Sequence, residues 1–535
     1  MKFDPLYNPY KSQRNVAFGR RGMVATSQPF AAEAGFEILK KGGNAVDAAV
    51  AAAATLTVCE PTSNGVGGDA FAIVWWKNKL YGLNSSGTSP KEISIEKLKS
   101  LNFNGIPEFG WETVNVPGIP GAWASLSGKF GKLPFNKLLE PAVAYAEEGF
   151  PITPVLGYYW KQEYKRMLKN LNGEKYKHWF ETFAPKGRAP EIGEIVKYKY
   201  LAKTLKIIAE TKAEAFYRGE ISEKIDFFSR NTGGYIRKED LENYHPEWVE
   251  PISINYRGYD VFEIPPNGQG ITALMALNIL KGFDFSESSK IDILHKQIEA
   301  IKLSFEDSLK YVTDINKMNI TVSDLLSDAY AEERRKKIGK TAYMPGQVKH
   351  NDGGTVYLAT ADSEGNMVSY IQSNYIGFGS GLVVPGTDIS LHSRGRNFSF
   401  DPKHVNALEP NKKPYHTIIP GFLMKDNKPI GPFGIMGGFM QPQAHVQVIM
   451  NCLDFNLNPQ AAIDAPRWIW MQDKDVRIEK NFDQNFARTL EEKSHNIEYE
   501  HDALLFGRGQ IIWRDENGTL IGGTDSRTDG TIYSW

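Results

Sequence analysis

The chain has 535 residues, 41% hydrophobic and 23% charged, which is ordinary for a folded globular protein and excludes a disordered one. Lys and Arg number 62 and Asp and Glu 63, so the net charge of -1 removes the main electrostatic drive for nucleic-acid binding. Two cysteines, Cys59 and Cys452, exclude a disulfide framework and a Cys-rich zinc module.

The first 20 residues are polar and irregular and predict an extended arm. No apolar stretch follows a basic region there, so no secretory signal is expected. The longest apolar run, 48–59, is shorter than the ~20 residues a membrane-spanning helix needs. The expectation is a soluble cytoplasmic protein without a membrane partner. A strand is predicted at 23–26 and a helix at 29–41, stopped by Gly42 and Gly43. Asn44 predicts the N-cap of a second helix running to Val58, so rich in Ala and Val that it should be buried on most sides. A Gly-rich turn at 64–68 leads to strands at 70–76 and 79–83. From 135 to 345 the pattern is mostly helical, with helices expected at 140–148, 195–211, 221–230, 272–280, 291–312 and 328–338. A strand pair at 252–264 turns at Tyr256, Arg257 and Gly258, and 265–270 is read as irregular. Residues 351–354 form a turn-rich break. Short strands follow at 355–360, 367–373 and 421–425, then a helix from Gln441 to Met450 and a hairpin at 510–523. Strands at both ends with helices between predict layered sheets covered by helices.

Several motifs fall away on inspection. There is no His-Glu-x-x-His stretch, and the histidines show no ligand spacing, so neither a metal nor an organic cofactor is expected. The Gly-rich run 377–381 lacks the Lys and Ser/Thr of a phosphate-binding loop and is read as a tight backbone passage. The basic run 334–337 follows two glutamates and is read as a solvated helix face. The carboxylates suggest no glycosidase pair.

The informative place is Gly353-Gly354-Thr355. A hydroxyl residue directly after two glycines is well placed to attack the preceding carbonyl, form an ester and, after hydrolysis, become a new N-terminus. A free α-amine has a pKa of about 7.7–8.0 and can serve as general base for its own side-chain oxygen. Such chemistry needs an oxyanion hole. Gly437 and Gly438 are candidates, because successive glycines before a helix let two amide N–H groups converge on one oxygen; a plain loop-to-helix turn is the alternative.

These residues, in this order, resemble the gamma-glutamyltranspeptidase family of N-terminal-nucleophile hydrolases. The resemblance runs through Gly42-Gly43-Asn44-Ala45-Val46-Asp47, Val116-Pro117-Gly118, Tyr256-Arg257-Gly258-Tyr259, Pro265-Pro266, the blocks around Thr355, Phe378-Gly379-Ser380-Gly381 and Pro414 to Pro420, and Gly437-Gly438. It implies an α+β fold, a four-layer αββα sandwich. It implies a precursor that cuts itself between Gly354 and Thr355 into a large subunit, 1–354, and a small subunit, 355–535, which stay together as one composite domain. It makes Thr355 the nucleophile and Gly437 and Gly438 the oxyanion donors. Ser373 falls where a hydroxyl residue bonds the nucleophile's amine.

The departures concern recognition. The family clamps the α-carboxylate of a gamma-glutamyl group with an arginine, where this chain has Ser86. It pairs the α-amine with an aspartate, where this chain has Asn397. Its Ser-Ser pair becomes His416-Thr417, and an asparagine becomes Tyr375. Arg394 and Arg396 add positive charge nearby, a pattern suited to an acyl group that ends in a carboxylate without an adjacent ammonium; a surface ion pair is the alternative for Arg394. The chain is thus expected to be a self-processing amidohydrolase or acyltransferase of the acylase-like branch. It would act on a gamma-glutamyl or glutaryl-like acyl amide, with water or an amine as acceptor. Two other readings stand beside it: a true gamma-glutamyltransferase or glutathione hydrolase with altered clamp residues, and a retired small-molecule binding protein on the same fold. Whether the chain forms a homo-oligomer is left open.

Overall fold

Two seven-stranded antiparallel sheets form the frame of the computed structural model, which describes residues 14–286, 288–345 and 354–535. In the first sheet the strands run, edge to edge, Thr531–Ser534, Gly22–Thr26, Gly354–Asp362, Met367–Tyr375, Asp69–Trp76, Lys79–Ser85 and Glu247–Val249. In the second they run Ala17–Gly19, Leu520–Thr524, Arg508–Arg514, Lys428–Met436, Gly421–Lys425, Tyr259–Glu263 and Ile252–Tyr256. The sheets face each other through Gly354–Asp362 and Lys428–Met436. Helices Pro29–Lys40, Ala45–Cys59 and Ile119–Phe130 cover the outer face of the first sheet, and Gly270–Leu280 and Met440–Leu453 cover the second. This is the expected four-layer αββα sandwich.

Ala45–Cys59 shows how the sequence builds a layer. Alanine has the highest helix propensity, and its small side chain lets the helix lie close on the sheet. All of its residues are buried. Asn44 starts it as expected: its Oδ1 accepts from the N–H groups of Val46 and Asp47, both at 2.9 Å, and the Asp47 carboxylate accepts from the Asn44 N–H at 3.1 Å. The Asn44 amide also donates to the Phe130 carbonyl at 2.7 Å, which ties the cap to the next helix of the layer.

The pattern misled in several places. The arm expected over the first 20 residues holds a strand, Ala17–Gly19, which pairs with Leu520–Thr524 at the edge of the second sheet. A helix expected at 195–211 begins only at Lys199, because the β-branched Ile195 and Val196 pair with Phe150 and Pro151 as a short ribbon. Lys428–Met436 was not expected as a strand, since Pro429, Gly431, Pro432 and Gly434 all argue against one. It is nonetheless central. A bulge at Ile430, between the pairs Leu423–Gly431 and Met424–Pro429, shifts its register, and a Cβ on Gly434 would run into the Tyr357 ring of the facing sheet. The turn at 351–353 and the start of the expected N-terminal arm lie outside the described residues. Among the described residues no helix is long and apolar enough to cross a membrane.

Candidate active site

Thr355 is the second residue of Gly354–Asp362, where that strand pairs with Met367–Tyr375. A register shift between Gly354 and Val356 interrupts the ladder at this point. Ser373, on the neighbouring strand, gathers three bonds. Its Oγ accepts from the Thr355 hydroxyl at 3.2 Å and from the Tyr375 N–H at 2.8 Å, and it donates to the Gly354 carbonyl at 2.6 Å. One donor and two acceptor sites are what a serine hydroxyl has, so its capacity is filled. The carbonyl it touches is the one that precedes Thr355.

Gly437 and Gly438 form the passage from Lys428–Met436 into Met440–Leu453. Their φ values of 135° and 58° lie where side chains are disfavoured, which explains the two glycines. Gln269 secures the passage: its amide donates to the Gly438 carbonyl at 2.9 Å and to the Thr417 carbonyl at 2.6 Å. Among the described residues, neither glycine's N–H is matched to an acceptor. Gly354 and Gly437 line one cavity of about 400 Å³, with Tyr159, Glu163, Arg166, Arg477 and Arg508 further along its wall. Thr355 and Ser373 are thus bonded to each other, and Gly354 and Gly437, the neighbours of Thr355 and Gly438, line the same cavity.

Tyr375, Arg394, His416 and Thr417 also come together, around a residue the sequence did not single out. Asp69 opens the strand Asp69–Trp76 and stands opposite Ser373 in the ladder. Its Oδ2 lies 2.9 Å from His416 Nε2, 3.3 Å from His392 Nδ1 and 3.4 Å from Arg394 Nε. Arg394 Nη1 donates to the Thr417 hydroxyl at 2.7 Å, and its guanidinium lies 4.6 Å from the centre of the Tyr375 ring. Arg394 is therefore not a surface ion pair: it is fully buried and already partnered by Asp69. Burial alone would push the Asp69 carboxyl up, but His392 and His416 outweigh it and hold it well below the usual carboxylate range. Burial and the Arg394 charge lower His416 to about 3, so its imidazole is neutral, donating from Nε2 to Asp69 and accepting the Ile418 N–H at Nδ1. Only the strand register brings Asp69 here, which no spacing in the chain reveals.

The remaining recognition positions make other contacts. The Ser86 hydroxyl donates to Asn84 Oδ1 at 2.7 Å, and Ser86 lines a separate cavity with Asp240 and Lys413. The Asn397 amide donates to the Tyr415 carbonyl at 3.0 Å. Arg396 is partly exposed and faces Glu108 at 3.9 Å. The Gly-rich run 377–381 is a tight passage, as expected, with Phe378 packed among Trp160, Trp179 and Phe183. The histidines, scattered in sequence, do gather elsewhere: His295 and His495 meet beside Glu299 with ligand atoms within 4.8 Å of one another. Lys302 already brings a cation there, its ammonium 2.8 Å from Glu299 Oε1.

Two facing sheets between helical layers, with a hydroxyl residue at the start of a central strand and Gly437 lining the cavity beside Gly354, fit the N-terminal-nucleophile hydrolase architecture. The model of the gamma-glutamyltranspeptidase family matches residues 31–535, and the chain belongs to that family. It is an amidohydrolase of this N-terminal-nucleophile class. The chain is similar to a cephalosporin acylase from Bacillus halodurans of known structure, with 57% identity over 100% of this chain and 99% of that one and a TM-score of 0.97. It is 36% identical to the glutathione hydrolase-like YwrD proenzyme of Bacillus subtilis, over 96% of this chain and 98% of that protein. It is 29% identical to the acylase ACY 1 proenzyme of a Pseudomonas species, over 98% and 96%.

Proposed function

We propose that the chain is a proenzyme that cuts itself between Gly354 and Thr355 and then hydrolyses or transfers a glutaryl-like acyl group through an acyl-enzyme on Thr355. The observation that carries this is the Ser373 hydroxyl, bonded at once to the Thr355 hydroxyl and the Gly354 carbonyl. Its O–H draws electron density from the carbonyl carbon that the Thr355 oxygen would attack. In that step a C–O bond forms, the Gly354–Thr355 C–N bond breaks and the nitrogen takes a proton, leaving an ester. Water then cleaves the ester C–O bond, giving a carboxylate on Gly354 and restoring the hydroxyl of Thr355, whose amine is already free. That amine becomes the base for the same oxygen in each later turnover, with the amides of Gly437 and Gly438 as oxyanion donors.

The acyl preference rests on what the site lacks and on its relatives. Ser86 and Asn397 carry no charge and are engaged with neighbours, so no arginine clamp or ammonium partner stands at those positions. A cephalosporin acylase and an acylase proenzyme among the similar proteins support an acylase reading. The test compares glutaryl and gamma-glutamyl p-nitroanilides as substrates. Faster turnover of the glutaryl compound is expected; a preference of roughly tenfold or more for the gamma-glutamyl compound overturns the substrate assignment. Thr355→Ala should abolish turnover of both, and a Thr355→Ala protein that still releases nitroaniline contradicts the nucleophile.

A further inference from the structure

We infer that Arg508 is the receptor for a carboxylate at the far end of the acyl chain, an assignment that rests on the acylase reading above. Of the two arginines the sequence offered for this role, Arg394 is buried and paired with Asp69, and Arg396 faces Glu108. The cavity shared by Gly354 and Gly437 supplies others: Arg166, Arg477 and Arg508 all line it. Two of them are already engaged. Arg166 lies 2.8 Å from Glu108 and 2.9 Å from Glu163, and Arg477 lies 3.2 Å from both Glu498 and Glu500.

Arg508 is different. Only 6% of it is exposed, yet among the described residues its guanidinium makes no hydrogen bond, and its buried Nε has no partner at all. Among the described residues its one ion-pair neighbour, Glu60, stands 3.7 Å from Nη1, beyond hydrogen-bond reach. Glu60 is itself bonded to the Ser27 hydroxyl, and burial pushes its carboxyl up to about 7, so near neutral pH it offsets the arginine only in part. Glu500 and Asp502 also line the cavity, but Glu500 accepts from Arg477 and from the N–H groups of His501 and Asp502, and Asp502 accepts from the Leu504 N–H. The guanidinium is held in place by the Tyr159 ring, whose centre lies 4.6 Å away. A buried arginine with open donors in a fixed fork is suited to a bidentate carboxylate.

Position supports the acyl side. Arg508 is the ladder partner of Met436, the residue just before Gly437, so it projects beside the oxyanion passage. Gly354, which lines the same cavity, is the acyl half of the bond that self-cleavage would break. An acyl group on Thr355 would occupy the place that Gly354 vacates, with its tail directed into the cavity that Arg508 lines.

The experiment compares glutaryl with valeryl p-nitroanilide, which share a five-carbon acyl chain and differ in the terminal carboxylate, in wild type, Arg508→Lys and Arg508→Met. Self-cleavage of each protein is read by mass. Wild type is expected to favour the glutaryl compound roughly ten- to a hundredfold in kcat/KM, mainly through KM. Arg508→Met should lose that preference and Arg508→Lys should keep part of it. Free glutarate, but not valerate, should inhibit wild type, a measurement that needs no variant to fold. A protein that cuts itself and hydrolyses anilides without preferring the carboxylate, or whose preference survives Arg508→Met, overturns the assignment to Arg508 while leaving the nucleophile standing. A wild type that neither cuts itself nor turns over any anilide overturns both.

Discussion

Asp69 is the residue on which the interior of the site depends. It brings one carboxylate against Arg394, His392 and His416, all without solvent exposure. A buried guanidinium that loses its only carboxylate partner keeps its desolvation penalty and forfeits the compensation. Asp69→Asn should therefore lower stability by about 3–5 kcal/mol, read from the shift in urea midpoint, and adding Arg394→Met should recover part of the loss. A midpoint unchanged in Asp69→Asn would mean the pair contributes nothing. The chemistry at this scale was legible where it is local: Gly354-Thr355 and Gly437-Gly438 are short motifs whose backbone freedom follows from composition. Asp69 was not legible, because its partners lie at positions 392, 394 and 416 and only the pairing of Asp69 with Ser373 aligns them. The positive charge read at Arg394 was real, but its neutralisation could not be seen without that pairing.

At the scale of elements, the buried Ala45–Cys59 helix depends on how it starts. Asn44 satisfies two of its first N–H groups and bonds the Phe130 carbonyl as well. Asn44→Ala should cost about 1–2 kcal/mol and Asn44→Ser distinctly less, because serine restores the cap but not the bond to Phe130. Thermal unfolding of the two variants decides this, and equal losses would assign the effect to the Phe130 bond alone. The cap, the helix after it and the hairpin from Gly354 to Tyr375 were all readable, since each is signalled by residues close in sequence. The strand Lys428–Met436 was hidden by its own composition. Gly434 makes room for the Tyr357 ring and Gly431 for the Ile512 backbone and Met367, against a strand's usual preference for large side chains, so tertiary contact overrides local propensity there.

For the whole molecule, the proposed cut would not separate two bodies. Both sheets take strands from either side of Gly354: Gly22–Thr26 and Asp69–Trp76 flank the pair formed by Gly354–Asp362 and Met367–Tyr375, and Tyr259–Glu263 pairs with Gly421–Lys425. Fragments 1–354 and 355–535 should thus remain together under native conditions and part only in denaturant. The layered class was legible from strands at both ends and helices between, but the interleaving of the two halves was not, because it arises from pairings between residues hundreds of positions apart. The most direct test is the mass of the purified protein measured under denaturing conditions. Two species of roughly 40 and 20 kDa, the smaller beginning at Thr355, are the expected result, with Thr355→Ala remaining whole. A single 60.0 kDa chain that stays intact on prolonged incubation would contradict the account.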